Sequence, residues 1–383
     1  MDKPTVQDIF HRFYPAYLDQ YSPSPVQAKV AHNIMNCKTG AYGANVCVCE
    51  DCGFVQIHYN SCRNRCCPMC QAVPKEMWMD ARREDVLDAP YFHLVFTVPD
   101  ILNPVIYSNQ RLLYDALYHA ASSTISELTA DPKHIGAKVG YICILHTWGS
   151  EMNFHPHIHT ILLGGGLASN NQWKDNGENF FLPIRVISKM FRGKYLEELK
   201  RLWEEDKLVF HGTAEKFRNH YTFKELLDSC YGMDWIPHCK KTFNGAQTVI
   251  KYLGKYTHRI AVSNHRIVRM DDDTVTFLVK DYRNEGQWKE LTISGVEFVR
   301  RFLMHVPPRR FVRIRHYGLL CSRTKSQKLT LCRNLLGCKK YLSKLRDMEM
   351  PEILEHLYGI KVCVCKACGG HLGKPQMRMP LRC

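Results

Sequence analysis

The sequence lacks several features that would assign it to a common class. It has no apolar run long enough for a membrane-spanning helix, and its first residues, MDKPTVQDIF, have no signal-peptide core. We therefore expect a cytoplasmic protein with no membrane partner. The G-x-x-x-x-G-K-[ST] loop of P-loop nucleotide hydrolases is also missing, which excludes a motor of that type within this chain.

Acidic side chains are few relative to basic ones. The 383 residues include 37 Asp and Glu against 52 Lys and Arg, which leaves a net charge of +15. Such an excess of positive charge predicts a polyanionic partner, and nucleic acid is the default. The length predicts two or three folding units with enough apolar residues for their own cores.

Cysteine, in contrast, is abundant, with 18 residues. Without a secretory signal, this number favours thiolate–metal chemistry in a reducing compartment over a disulfide framework. Two Cys-x-x-Cys pairs separated by residues 53–66 predict a four-cysteine zinc ribbon. Its ligands would be Cys49, Cys52, Cys67 and Cys70.

The remaining cysteines of this region predict a second, interleaved zinc site. Cys37, Cys62 and Cys66 would bind with His32 or His58 as the fourth ligand, whereas Cys47 is expected to be a free thiol. Near the other end of the chain, Cys363, Cys365, Cys368 and Cys383 resemble half a zinc ribbon. Whether this half binds metal stays open.

A histidine-rich β-hairpin is the most informative stretch. Residues 141–147 and 155–163 are apolar and β-branched, and GSEMN between them is typical of a turn. A turn centred between residues 151 and 152 sets His146 opposite His157, with Cβ atoms roughly 5 Å apart. Alternation along the strand places His155 and His159 on the same face as His157. Such a cluster of neutral imidazoles predicts a divalent-metal site, whereas His93 is expected to be a buried core histidine.

A pair of tyrosines lies about a hundred residues further on. Tyr252 and Tyr256 are four residues apart and would project from one face of a helix. An unperturbed tyrosine has a pKa of about 10 and attacks phosphorus poorly unless a cation polarises the target. Together, the histidine strand and the tyrosine helix predict phosphodiester chemistry.

HPHIH at 155–159, followed by YLGKYTHR at 252–259, resembles the HUH single-strand endonucleases, specifically the two-tyrosine rolling-circle transposases of bacterial insertion sequences. The resemblance covers nearly the whole chain. It continues through SCRNRCCPMCQ (61–71), HLVFTVPDILN (93–103), LHTWG (145–149), VTFLVKDYR (275–283) and RRFLMHVPPRRFVRIRHYGLL (300–320). Where this chain has Cys66 the family usually has histidine, which supports a ligand role there.

The resemblance implies single-strand cleavage and joining through a 5′-phosphotyrosine intermediate. Tyr252 and Tyr256 would be the nucleophiles, and Mg²⁺ or Mn²⁺ would be held by His157, His159 and a third ligand. The hairpin register favours His146 as that ligand, with His155 as the alternative and Glu151 too distant at the turn. Zn²⁺ would be structural, in an N-terminal transposase zinc-binding domain.

The implied partners are single-stranded and hairpin DNA at element ends, target DNA, and a host helicase or replication machinery. The location implied is the bacterial cytoplasm, associated with the nucleoid. Basic side chains that would contact DNA lie near the cysteines, near the tyrosines and in a late run mixed with aromatics. They are Arg63, Arg65, Lys240, Lys241, Arg259, Arg309, Arg310, Arg313 and Arg315.

The order of predicted elements indicates an α+β fold with a central antiparallel sheet, resembling the ferredoxin-like HUH core. Four units are expected: N-terminal helices (1–36), a zinc-binding DNA-binding module (37–88), the nuclease core (89–268) and a basic C-terminal region (269–383). Two alternatives stay open. A replication initiator or relaxase would share the nuclease chemistry, and a zinc-dependent DNA-binding regulator would have no catalysis.

Overall fold

The computed structural model describes residues 3–175, 182–235, 238–243, 249, 254, 261–281 and 284–378, with only the backbone described over 238–243. The fold is mixed α+β and is built on antiparallel sheets, which confirms the predicted class. Within the described residues, no helix is long and apolar enough to cross a membrane.

The helices largely follow the predicted pattern. The two N-terminal helices both begin with capping boxes, Thr5 with Asp8 and Ser24 with Gln27, so side chains satisfy the first free backbone N–H groups. The helices are α1 (Val6–Gln20), α2 (Pro25–Met35), α3 (Ala72–Arg83), α4 (Asn103–Ser108), α5 (Gln110–Ala130), α6 (Ile184–Glu204), α7 (His220–Gly232), α8 (Gly295–Met304), α9 (Lys325–Leu336) and α10 (Met350–Tyr358).

The strands form three antiparallel sheets in the described part of the chain. They are β1 (Ala44–Val48), β2 (Val55–Tyr59), β3 (Tyr91–Thr97), β4 (Lys138–Trp148), β5 (Phe154–Leu167), β6 (Trp173–Asp175), β7 (His238–Phe243), β8 (Ile267–Met270), β9 (Thr274–Asp281), β10 (Gln287–Ser294), β11 (Ile314–Gly318) and β12 (Gln376–Arg378).

The central sheet has the order β11-β4-β5-β3-β7, with β6 added beside β5. One face carries Phe96, Leu145 and Ile158 and forms the main core with α5 and α6. The opposite face carries Ile142, Ile144 and the histidines of β4 and β5. Because side chains alternate along a strand, one hairpin supplies both the core and a polar face.

A second core joins the N-terminal helices to the sheet β10-β9-β8. Phe10 of α1 packs edge-on against Phe302 of α8, with ring centroids 5.2 Å apart, and Phe277 of β9 lies in the same cluster. Trp148 and Met152, at the tip of the histidine hairpin, belong to this core as well. The tip is therefore held by apolar contacts from both ends of the sequence.

The third sheet, β12-β1-β2, joins the end of the described chain to the cysteine-rich hairpin. Ala44 and Val46 of β1 pair with Arg378 and Gln376 of β12, and β2 pairs with the other side of β1. Residues 376–378 thus complete a sheet that belongs to the predicted zinc module. The four predicted unit boundaries remain predictions.

Asn109 separates two helices. The amphipathic stretch 103–128 forms α4 and α5, with a break at Asn109. The side chain of Asn109 is buried, donates to the Val105 and Val209 carbonyls and accepts from the Val209 N–H at 2.8 Å. A side chain that bonds locally to the backbone in this way competes with helix continuation.

Gly318 provides a test of the central sheet. It ends β11 with φ +63°, and a Cβ there would overlap the carbonyl oxygen of Val139. Gly318→Ala should lower the free energy of unfolding by about 3 kcal/mol, because left-handed strain and steric overlap add. Gly337→Ala is the matched control: φ is +64° with nothing within 4 Å, so it should cost only about 1 kcal/mol. Equal losses in urea denaturation would contradict the overlap.

Candidate metal and DNA-processing site

The hairpin register brings three histidines together. His146 pairs directly with His157, and Ile144 with His159, as the turn position predicted. One ring nitrogen from each of His146, His157 and His159 lies within 4.8 Å of the others. The Nε2 atoms of His157 and His159 are 3.1 Å apart. Two nitrogens that each lie about 2.1 Å from a shared ion are separated by about this distance.

Hydrogen bonds fix the orientation of two of these rings. The Nδ1–H of His157 donates to the backbone carbonyl of His155 at 2.7 Å. This leaves Nε2 of His157 as the acceptor nitrogen. The Nδ1 of His159 lies 2.9 Å from Nε2 of His93. A partner on the second ring nitrogen is the usual way in which a metal-binding histidine is held in one tautomer.

Burial favours the neutral form of His157. His146, His157 and His159 are 3%, 8% and 8% exposed, and burial, with a smaller effect from the charge of His155, lowers the pKa of His157 to about 4. The neutral imidazole is the form that binds a metal. Three inward-facing imidazoles therefore fit a divalent cation, and imidazole donors suit transition ions better than Mg²⁺.

The two other candidates for third ligand contact other groups, although the ring centroid of His155 lies 5.2 Å from that of His157. His155 enters β5 beside the hairpin turn, and its Nδ1 lies 3.2 Å from Asp100 on a neighbouring loop. Glu151 lies in the turn with Lys289 3.9 Å away, and its backbone carbonyl accepts from Arg301 at 2.9 Å. Neither is part of the three-histidine group.

The histidines line a cleft of about 320 Å³ that also contains basic and aromatic side chains. Arg266, Lys280 and Trp288 lie on its other wall. The Lys280 ammonium lies 5.4 Å from the Trp288 ring centroid, and this ring is half exposed. Cations and an open aromatic face suit a phosphate and a base of a single strand.

The turn of the hairpin is fixed by two side chains. His305, buried after α8, lies 3.0 Å from the Met152 carbonyl and 3.2 Å from the Thr147 hydroxyl. Arg266 donates to the carbonyls of Ser150 at 2.6 Å, Leu278 at 2.7 Å and Ala261 at 3.4 Å. Arg266 therefore connects the turn, β9 and the chain that follows the tyrosine segment.

Tyr252, Tyr256 and Arg259 lie outside the described residues, but residues around them are placed. Val249 is helical and buried in the same apolar cluster as Ile142, Ile144 and Ile161, on the histidine face of the sheet. Gly254 lies so close to Met79 of α3 that a Cβ would overlap its sulfur. The described parts of this segment therefore lie over the histidine face.

The structure groups the cysteines differently from the prediction. Cys37, Cys62, Cys67 and Cys70 form one cluster, with all sulfurs within 4.8 Å of one another. Cys66 and His32 are not part of it: Cys66 is buried in the core next to α8, and His32 is exposed and bonded to Asn36. Cys66 N–H instead donates to the Asn64 side chain at 2.8 Å.

The pair Cys49 and Cys52 is likewise not joined to Cys67 and Cys70. It meets Cys365 and Cys368, and the four sulfurs lie within 4.8 Å of one another. The reason is the length of the β1–β2 hairpin. Cys49 lies at its tip, whereas Cys62 follows its open end, and five residues of strand separate the ends by roughly 17 Å. Cys47 is buried in β1 as a free thiol, and His58 is bonded to Gln56.

The predicted DNA-binding residues divide into exposed and engaged groups. Arg63, Arg309 and Arg310 are exposed. Arg65 donates to the Phe311 carbonyl at 2.6 Å and so fastens the cysteine loop to residues 308–311. Arg315 pairs with Asp115 and stacks on Tyr118 at 3.9 Å.

Arg313 is half-buried, 5.9 Å from the Trp148 ring centroid. Lys240 and Lys241 lie on β7 beside β3, but their side chains are not among those described. Contact of any of these basic residues with DNA stays a prediction.

Comparisons with known proteins identify the family. Residues 140–328 match the family described as "Putative transposase", and residues 9–98 match a "Transposase zinc-binding domain". "Putative transposase y4qJ" of Sinorhizobium fredii is 40% identical over 369 residues, which are 95% of this chain and 93% of that protein. The "Transposase for insertion sequence element IS801" of Pseudomonas savastanoi is 30% identical over 309 residues, 79% and 72% of the two chains. No solved structure matches.

The chain belongs to the rolling-circle insertion-sequence transposases. The resemblance inferred from the motifs is thus confirmed, and DNA is the substrate class of a transposase. The zinc-binding family model also supports structural zinc in the N-terminal part.

Two residues of this transposase site have contacts that differ from those expected. His93 was expected to be a core histidine but bonds His159. His93 lies two residues before Val95, which pairs with His159. Because alternate residues of a strand share a face, this spacing indicates that His93 lies on the face that carries His159. Arg266 was expected to be a basic side chain near the scissile phosphate, and no local pattern indicated that it would bond three carbonyls from separate segments.

The first prediction from this site concerns the third ligand. His146→Ala and His157→Ala should each weaken Mn²⁺ binding by more than about 100-fold, since each removes one of three convergent imidazoles. His155→Ala should change affinity by less than about tenfold. Electron paramagnetic resonance of Mn²⁺ added to zinc-loaded protein measures this. Normal binding by His146→Ala together with loss in His155→Ala would overturn the assignment.

We expect His93 to orient His159 without touching the ion. His93→Phe should lower Mn²⁺ affinity about 10- to 100-fold, the usual effect of losing a ligand's hydrogen-bond partner. His93→Gln retains an acceptor and should recover most of that loss. If both variants bind Mn²⁺ like the parent, the 2.9 Å contact has no orienting role.

Proposed function

We propose that this transposase is a metal-dependent single-strand DNA endonuclease and strand transferase that works through 5′-phosphotyrosine intermediates. The observation that carries the proposal is the cluster of His146, His157 and His159, three buried imidazoles facing a basic, aromatic cleft. A purely structural histidine would not need two further buried imidazoles within 4.8 Å of its ring nitrogen.

The described residues fit the cation that this chemistry needs. His146, His157 and His159 would hold it, with His93 and the His155 carbonyl fixing two of the rings. A divalent ion, Mn²⁺ or Mg²⁺, would supply Lewis-acid polarisation of a phosphate oxygen. The imidazole donor set favours Mn²⁺ of the two.

Tyr252 and Tyr256 are the proposed nucleophiles. Support comes from Val249, three residues before Tyr252, which packs on the histidine face of the sheet. Further support comes from Arg266, which bonds the Ala261 carbonyl, five residues after Tyr256, and the hairpin turn. Residues on both sides of the two tyrosines, Val249 and Ala261, are therefore connected to the elements that carry the histidines.

In the proposed reaction, a tyrosine oxygen forms a bond to phosphorus and the bond to the 3′ oxygen breaks. The strand leaves with a 3′-hydroxyl, which carries the proton that the phenol loses, and its other end stays on the protein as a phosphotyrosine diester. One diester replaces another, so a new 3′-hydroxyl can reseal the strand without a nucleotide cofactor. A second tyrosine four residues away allows one end to be held while another is cut.

The cleft wall opposite the histidines would bind the strand. Lys280 would contact a phosphate, and the half-exposed Trp288 would stack on a base. Arg63, Arg309 and Arg310 extend the basic surface towards the cysteine loop. We expect separated strands to come from a host helicase or from replication.

The alternatives differ in what they leave unexplained. A replication initiator or relaxase would use the same chemistry, but both curated relatives cited above are transposases by their printed names. A DNA-binding regulator without catalysis would have no use for a buried histidine cluster that faces an open cleft. The adduct experiment below separates the regulator from the enzyme.

Tyr252→Phe and Tyr256→Phe should each block a different step, and the double variant should form no covalent DNA adduct. Removing the phenol oxygen removes the nucleophile but leaves the ring, so folding should be unchanged. The measurement is a mobility shift of denatured protein after incubation with Mn²⁺ and labelled single-stranded end oligonucleotides. Tyr221→Phe, at an exposed tyrosine of α7, is the control and should retain full activity. An adduct formed by the double variant would refute the assignment.

A further inference from the structure

A second four-cysteine group combines residues from two distant parts of the chain. Cys49 Sγ lies 3.5 Å from Cys368 Sγ, and Cys52 Sγ lies 3.8 Å from Cys365 Sγ. Cys49 and Cys368 are 319 residues apart in the sequence, and Cys52 and Cys365 are 313 residues apart. The zinc-binding family model ends at residue 98 and the transposase model at residue 328, so neither includes Cys365 or Cys368.

The two halves of this group have the same backbone structure. In one half, Cys49 N–H donates to the Phe54 carbonyl at 2.9 Å, and Gly53 N–H donates to the Cys49 carbonyl at 3.1 Å. In the other half, Cys365 N–H donates to the Gly370 carbonyl at 2.8 Å, and Gly369 N–H donates to the Cys365 carbonyl at 3.0 Å. Each Cys-x-x-Cys is followed by a glycine with positive φ, +71° at Gly53 and +77° at Gly369. Such a turn aims both sulfurs of a pair to one side.

Backbone N–H groups also point at the sulfurs of the later pair. Ala367 N–H lies 3.4 Å from Cys365 Sγ, and Gly370 N–H lies 3.4 Å from Cys368 Sγ. Donors of this kind stabilise thiolates, because a hydrogen bond to the charged form favours it. A pair of neutral thiols would not require them.

The contact between the halves is built into the fold. Glu50 N–H donates to the backbone carbonyl of His371 at 3.1 Å, and Gly373 N–H donates to the backbone carbonyl of Val48 at 2.9 Å. Strand β12 then continues the pairing along β1. These backbone bonds hold the second pair against the tip of the β1–β2 hairpin, in register with the first.

We propose that Cys49, Cys52, Cys365 and Cys368 bind a structural Zn²⁺ that fastens the C-terminal segment onto the N-terminal zinc module. Four thiolates from two turns give the tetrahedral donor set that zinc prefers. This ion is distinct from the one that Cys37, Cys62, Cys67 and Cys70 would hold. The chain thus closes on itself through a metal, and the zinc ribbon is complete only when residues near 365 are present.

The first test uses the unmodified full-length protein. Each cysteine is followed by mass spectrometry during alkylation with N-ethylmaleimide, with and without a zinc chelator. Cys365 and Cys368 should be protected until chelation and then react, together with Cys49 and Cys52. Cys363 is exposed, lies two residues before Cys365 and is outside the group, so it should react at once in both conditions. Equal rates for Cys363, Cys365 and Cys368 before chelation would overturn the proposal.

The second test counts metal. The parent should contain two zinc equivalents, and Cys365→Ser with Cys368→Ser should lose one. Cys49→Ser with Cys52→Ser should lose the same one, so combining the four changes should remove no more. Cys363→Ser is the matched control and should retain both. Two equivalents in the Cys365/Cys368 variant, or iron in place of zinc in the parent, would overturn the assignment.

If the Cys365/Cys368 variant fails to fold, alkylation of the parent still decides the proposal. An intact mass of the parent that shows Cys49–Cys368 or Cys52–Cys365 disulfides would also overturn it. Neither readout depends on DNA cleavage. Loss of the tyrosine adduct would therefore bear on the nuclease proposal alone.

Discussion

The antiparallel pairing of β4 with β5 sets the geometry of the histidine site. It sets His146 against His157 and Ile144 against His159. Side chains alternate with a period of two, so a slip of one residue in one strand would move its histidines into the core. Ile158 and Leu145, which pair on the other face, fill that core and make such a slip costly. The apolar residues between the histidines thus fix the site geometry.

The same hairpin is held at its tip by contacts from distant segments. His305 and Arg266 bond the turn carbonyls, and Trp148 and Met152 are buried between α1, α8 and β9. Arg65 connects the cysteine loop to residues 308–311, which follow α8. The cysteine loop and the turn of the histidine hairpin are therefore both bonded to the segment that follows α8.

The three metal-competent clusters among the described residues are chemically separate. The histidine cluster has imidazole donors and opens into a cleft, whereas each cysteine cluster offers four sulfur donors. Thiolate sites with four protein ligands are closed and structural, while a site with three ligands leaves a position for substrate. This distribution of donors fits the proposed division between structural zinc ions and an ion that acts on DNA.

Much of the site followed from the sequence because it is local. The hairpin, its turn and the opposition of His146 and His157 depend on residues 141–163, where strand alternation and turn chemistry act over short range. The break at Asn109 and the bond from His93 to His159 needed the neighbouring elements. The grouping of the cysteines could not be derived from spacing, because the two pairs lie at opposite ends of a hairpin and Cys365 and Cys368 return from more than 300 residues away. The sequence by itself determined which side chains could bind metal. Tertiary structure decided which of them share an ion, since strand pairing between distant segments sets those distances.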